Sequence, residues 1–205
     1  MPLFGQLQKC TDIQSVLNWA LNRGLELSGT YFGNVQLIDW RSGYLEIKAQ
    51  RGFQPEFLNF FERVKFDHAS ACARALRNRD TIVIDDIMAD KQFAPYREIA
   101  CRAGVRAVLS TPLVSSSGAA LGVLSIHFPI VQRPTDIQIR GMTEAAGLAA
   151  DRIIRLRAIN GEMTLKALDV LQKSQEAIIT AEKVLSRDVL LPAIGPSGRS
   201  VRVTH

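Results

Sequence analysis

Residues 105–128 read VRAVLSTPLVSSSGAALGVLSIHF, and this stretch decides the fold. Val105 to Val114 is an apolar run rich in β-branched residues, and Ala120 to Phe128 is a second run of strand length. Between them Ser115-Ser116-Ser117-Gly118 supplies turn chemistry, so the two runs form a closing hairpin. Ser125 and His127 alternate with Leu124 and Ile126 and share one face of the last strand. Upstream, Gly104 ends a helix predicted over residues 95 to 103, Thr81 to Asp85 reads as a strand, and Ala69 to Leu76 reads as a helix. Pro55 opens a short helix carrying Phe57, Leu58, Phe60 and Phe61. Further back, Asn34 to Trp40 and Tyr44 to Gln50 are strands joined through Arg41-Ser42-Gly43. The tetrapeptide Thr-Asp-Ile-Gln occurs twice, at 11–14 and 135–138, and each copy reads as a capping box that starts a helix. The first such helix runs over about residues 12 to 28 and stops at Ser28-Gly29. The order predicts an α+β fold, an antiparallel sheet sandwiched between helices, with long N- and C-terminal helices.

The second capping box, preceded by Pro134, opens the C-terminal helix. Met142, Ala146, Ala149, Ile153 and Leu156 step by four and three, and the seam continues through Met163, Ala167, Val170, Ser174, Ala177, Ala181 and Val184. It is a weak heptad stripe of small residues, and Asn160-Gly161 either bends or ends it. Met142, Ala149, Ile153 and Leu156 are the expected interface between two copies. The chain divides by this reading into an extension (1–10), a globular domain (11–157), a signalling or dimerisation helix (158–187) and a flexible tail (188–205).

Composition removes several classes. With 205 residues, 47% hydrophobic and 22% charged, the chain is an ordinary globular one and long enough to bury one core. Lys and Arg exceed Asp and Glu by 25 to 20, but the arginines are scattered and not interleaved with aromatics, so no nucleic acid is expected as a partner. No apolar stretch reaches the roughly 18 residues of a membrane helix, and the N-terminus lacks a secretion signal, so no membrane association and a cytoplasmic location are expected. Cys10, Cys72 and Cys101 are widely spaced with no CxxC, so no disulfide framework and no zinc site are legible. The three histidines, His68, His127 and His205, stand in no HExxH or phospho-acceptor setting, and no GxxxxGK[ST] loop occurs. The expectation is no catalytic residue, no metal and no cofactor.

Five segments in this order carry a family resemblance: Gly33 to Asp39, Ala49 to Phe53, Val83 to Ile87, Gly104 to Leu113 and Gly122 to Phe128. Together they resemble a GAF domain, the small-molecule sensor module of bacterial signalling proteins, and most of all the GAF domains found beside histidine kinase modules. The resemblance covers residues 11 to 157. It departs from that subgroup where Asp67-His68-Ala69, in place of Gly-rich chemistry, precede Ser70-Ala71-Cys72. The resemblance implies a pocket between one sheet face and the elements joining the middle strands, with terminal helices on the other face that build a homodimer. It implies a regulatory sensor that binds a small organic ligand or a protein partner and shifts its helices, with a histidine kinase or other signalling protein downstream.

The residues expected at the ligand are Tyr96, the best single candidate, with Ser110, Ser125, His127, Phe53, Phe93, Cys101 and Ser70. Ser125 and His127 equally fit the plainer role of hydrogen bonding across the sheet. Cys72 and Cys101 read as inert core thiols, with a redox role open if Arg97, Arg102 or Arg106 lies beside Cys101. One alternative is an interaction scaffold whose pocket is filled by side chains. A cavity of at least about 300 Å³ favours a ligand and a filled core favours the scaffold. Another is a cysteine-based free methionine-(R)-sulfoxide reductase or thiol redox sensor, since Cys101 lies eleven residues before Pro112 as the reactive cysteine of those enzymes does. Against it, Arg102, Val108, Ser125 and His127 stand where that group carries acids. A covalently attached bilin is not expected, because Cys101 is followed by Arg102 and not by histidine.

Overall fold

The computed structural model describes residues 3–159 and 172–180, with side chains from Gly5 onward. The chain forms two units, 1–172 and 173–205. Of the second, the described residues, 173–180, are helical. The expected seam residues Met163, Ala167, Val170, Ala181 and Val184, the Asn160-Gly161 junction and the tail lie outside the described residues.

The first unit is a six-stranded antiparallel sheet with helices on both faces. Its strands are β1 (Phe32–Asp39), β2 (Tyr44–Arg51), β3 (Arg63–Lys65), β4 (Ile82–Ile84), β5 (Ala107–Val114) and β6 (Ala120–Phe128). They lie in the order β3-β2-β1-β6-β5-β4, so the first hairpin and the closing hairpin meet at the β1–β6 pair in the centre. The helices are α1 (Leu3–Gln8), α2 (Ile13–Ser28), α3 (Pro55–Phe60), α4 (Ala71–Asn78), α5 (Arg97–Arg102) and α6 (Asp136–Ile159). A 3-10 turn, Ala94–Tyr96, leads into α5.

The elements begin and end where local chemistry places them, with one shift. At the second capping box Gln138 N–H donates to Thr135 Oγ1 and Gln138 Oε1 accepts from Thr135 N–H, as the tetrapeptide predicts. At the first, the cap moves one residue along. Asp12 accepts from Ser15 N–H at 2.7 Å and Ser15 reciprocates, because an Asp side chain is at least as good an N-cap acceptor as Thr. Gly29 closes α2 at φ 64°, the left-handed geometry that glycine adopts without strain. The structure adds β3 and α1, which are too short for periodicity to reveal.

The sheet separates two apolar clusters. On one face α2 and α6 pack over β1, β6 and β5 through Leu17, Leu21, Leu109, Leu124, Ile126 and Met142. At Gly24 the helices and sheet converge, and a Cβ there would lie 2.9 Å from both Ile126 and Met142. Alanines at 145, 146, 149 and 150 keep α6 close to its neighbours. Met142, Ala149 and Ile153 are fully buried in this layer and Leu156 is 4% exposed. The expectation that they form an outward stripe for a second copy is therefore corrected: their surface is already spent inside the chain. On the opposite face α3, α4, α5 and their loops cover a second cluster that includes Phe53, Phe57, Phe61, Ile87 and Phe93. That face holds Asn34, Gln36, Ser110, Ser125 and His127.

Candidate functional site

β1, β6 and β5 each place alternate side chains toward the second face, and the antiparallel register aligns them. Asn34 stands opposite Ser125, and Ser125 opposite Ser110. His127 stands between Phe32 and Val108 in the adjacent row, and Gln36 lies further along β1. All five polar residues, Asn34, Gln36, Ser110, Ser125 and His127, are buried in the middle of the sheet. They floor a cavity of about 30 Å³. Phe57 and Phe61 from the α3 segment, Ser70 and Cys72 at the start of α4, and Phe93 cover it.

Each covering element is anchored. Ser70 caps α4, accepting from Ala73 N–H at 3.5 Å, and its Oγ lies 3.3 Å from the Cys72 thiol. The loop bearing Phe93 is held by Asp90, which accepts from Phe93 N–H at 2.9 Å and from Arg74 at 2.8 Å. Burial opposes the charged form of Asp90, yet those two donors outweigh it, and its carboxyl sits below the ordinary value. Arg97 bonds the carbonyls of Ile87 and Asp90 and fixes the same loop to α5.

The polar groups divide into satisfied and unsatisfied ones. Ser110 and Ser125 pair with each other at 2.8 Å, the plainer role expected of them. His127 does not pair: both ring nitrogens are buried without a protein partner, and so is Asn34 Oδ1. Phe53 meets the imidazole edge-on at 4.9 Å, and Phe57, stacked on Phe53 at 3.9 Å, meets it at 5.9 Å. Burial in this apolar setting pushes the His127 pKa down to about 3, so the ring is neutral and offers one N–H and one bare nitrogen. Burial likewise raises the Cys72 thiol and keeps it protonated. Among the described residues no Asp, Glu, Lys or Arg lines the cavity.

Burying a neutral histidine has a consequence for folding. The unfolded chain binds a proton near pH 6.5 and the folded chain only near pH 3, so stability is full above 6.5 and falls between 6.5 and 3. Between pH 7 and pH 5 this one group is expected to cost roughly 2 kcal/mol. Urea unfolding across that range measures it, and His127→Gln should flatten the profile; equal slopes in both proteins would show a paired or solvated ring.

Of the residues expected at the ligand, Ser70, Phe93, Ser110, Ser125 and His127 come together at the cavity. Three do not. Phe53 lies one layer back, against His127. Tyr96 stands outside the cover, half-buried and packed on Phe93 at 5.5 Å and Phe61 at 5.9 Å, where burial raises its hydroxyl pKa. Cys101 is exposed at the end of α5, with its thiol 3.8 Å from the Met88 sulfur, so it is neither a lining residue nor a core thiol. Sequence reasoning missed Asn34 and Gln36. Their signal was the same as that of Ser125 and His127, polar residues two apart in a central strand.

Among the described residues no cluster of three or more His, Cys, Asp or Glu could hold a metal ion, and no helix is long and apolar enough to cross a membrane. A sheet in this order, with helices on both faces and a polar floor on the central strands, defines an α+β domain. The chain belongs to the GAF domain family, whose sequence description matches residues 10–153. A domain of a two-component sensor histidine kinase protein from Sinorhizobium meliloti shares the fold, with 17% identity, a TM-score of 0.60 and coverage of 74% of this chain and 96% of that one. The GAF domain of a phosphoenolpyruvate-protein phosphotransferase from Coxiella burnetii is similar at 15% identity and a TM-score of 0.65, over 78% and 92% of the two chains. Free methionine-R-sulfoxide reductase from Neisseria meningitidis, in complex with its substrate, is similar at 21% identity and a TM-score of 0.62, over 77% and 87%. No curated protein matches the sequence.

Proposed function

We propose that this GAF domain is a regulatory sensor that binds a small organic ligand on the second sheet face and passes the event to its terminal helices. In this reading it acts as a homodimer in bacterial, cytoplasmic signal transduction, ahead of a histidine kinase or another signalling protein. It performs no bond-breaking chemistry. The observation that carries the reading is the trio of orphaned polar atoms, both His127 nitrogens and Asn34 Oδ1, on two residues that line one cavity. Buried polar atoms are nearly always paired, and three left open together are the mark of a site completed from outside the chain.

Native mass spectrometry of the freshly purified protein tests this. A bound small molecule that leaves on denaturation is expected; protein at the bare chain mass, with melting unchanged by a small-molecule library, would overturn the reading. The cavity volume favours a second reading. At about 30 Å³ it holds one or a few waters as it stands, which suits a scaffold whose pocket is filled by its own phenylalanines. The reductase alternative gains least, since among the described residues no charged group lines the cavity to hold a zwitterionic amino acid.

A further inference from the structure

We propose that the ligand of this cavity is an uncharged molecule presenting N–H and C=O side by side, a primary carboxamide or its ring counterpart, a lactam. The inference rests on the cavity being a binding site and adds the chemistry of what enters it.

The first argument is charge. Among the described residues no ionised side chain lines the space, and the His127 ring, buried edge-on against Phe53 and Phe57, is itself neutral. A carboxylate, phosphate or ammonium group would lose its hydration with no counter-ion in return, a cost of several kcal/mol for an unpaired buried ion. Anionic nucleotides and amino acids are excluded on this ground.

The second argument is hydrogen-bond polarity. A neutral imidazole leaves one donor and one acceptor unmet, and Asn34 Oδ1 adds a second acceptor. Ser110 and Ser125 already satisfy each other and ask for nothing. The two nitrogens of one imidazole point away from each other, so a single small group meets one of them together with Asn34 Oδ1, its diagonal neighbour across the β1–β6 pair. A partner that accepts from the ring N–H and donates to Asn34 meets both, and an amide does so with its adjacent carbonyl oxygen and NH₂. An alcohol must do both through a single oxygen, and an ether or ketone cannot donate at all. The third argument is shape: the polar groups lie on the sheet floor, while Phe57, Phe61 and Phe93 form an apolar cover. A flat molecule with one polar edge matches that division. A group of a few heavy atoms fits the space as it stands, and a ring requires the Phe57 side chain to move off Phe53.

The test uses matched pairs, acetamide against acetate and nicotinamide against nicotinate, titrated into the full chain at pH 7. Imidazole nitrogen signals in a long-range proton–nitrogen spectrum are the readout, with the His127 pair identified by its loss in His127→Phe. Acetamide is expected to shift the His127 nitrogens saturably at millimolar concentrations, nicotinamide likewise once Phe57 yields, with no saturable shift from the acids. The wild-type comparison stands alone should the variant not fold. Equal shifts from the acids would overturn the neutral-amide assignment and leave the binding reading intact. No shift from either amide would overturn the assignment too, while the native mass spectrum separately decides whether anything binds.

Discussion

A chain carrying both Ile153→Glu and Leu156→Glu is expected to lose its cooperative fold altogether. Ile153 has no exposed surface and Leu156 is 4% exposed, both within the layer where α6 meets α2 and β5. Each substitution removes about 2–3 kcal/mol of apolar burial and adds a carboxylate with no partner, at several kcal/mol more. Their sum is comparable to the whole stability of a domain, about 5–15 kcal/mol. Circular dichroism should show no sharp melting transition, and the protein should be recovered largely as aggregate. A well-folded monomer from this variant, melting like the parent, would contradict the packing and restore the stripe as a contact between copies. Arg155→Glu, an exposed change between the two, is the control and should melt like the parent.

Gly122→Ala is expected to be nearly as damaging although it adds one methyl group. Gly122 sits on β6 opposite Leu37 of β1, in the central pair of the sheet. A Cβ there would lie 1.9 Å from the Gln36 carbonyl oxygen and 2.9 Å from the Leu37 Cα, both backbone atoms. Side chains can swing away from a misplaced methyl, but a strand held on both sides cannot. The two hairpins would have to part at their junction, at about 4 kcal/mol or more. A fall in melting temperature of at least ten degrees is the expected readout; a shift of two degrees would mean that β1 and β6 are less tightly joined than the register implies.

Much of this architecture is legible in the residues, because strands and helices announce themselves by period and punctuation. Ala120 to Phe128 was bounded to the residue, and Gly104, Gly29 and Pro55 each mark a turn or a helix start that the structure contains. The family could be inferred from five ordered motifs. The failures have a common cause. Tyr96 and Cys101 were placed by proximity along the chain, but the 3-10 turn and α5 rotate them away from the sheet. Asn34 and Gln36 were passed over because a polar residue in a strand is ordinarily at the wet face, and only the sheet order shows that both faces of β1 are covered. The seam of α6 was legible as a pattern, yet a pattern of apolar residues cannot say whether the chain itself or another copy covers it.

The short outer strands have a bearing on assembly. β3 and β4 are three residues each, and β3 presents Arg63 and Lys65 to the outside, Arg63 lying over the Tyr44 ring at 4.5 Å. Such margins offer too few free amide and carbonyl groups to template another strand, and the cations of β3 repel an identical neighbour. An edge-to-edge ladder between two of these molecules is disfavoured, which leaves helical surfaces, able to slide and rotate by small steps where a ladder would lock, as the expected contact of the homodimer proposed above.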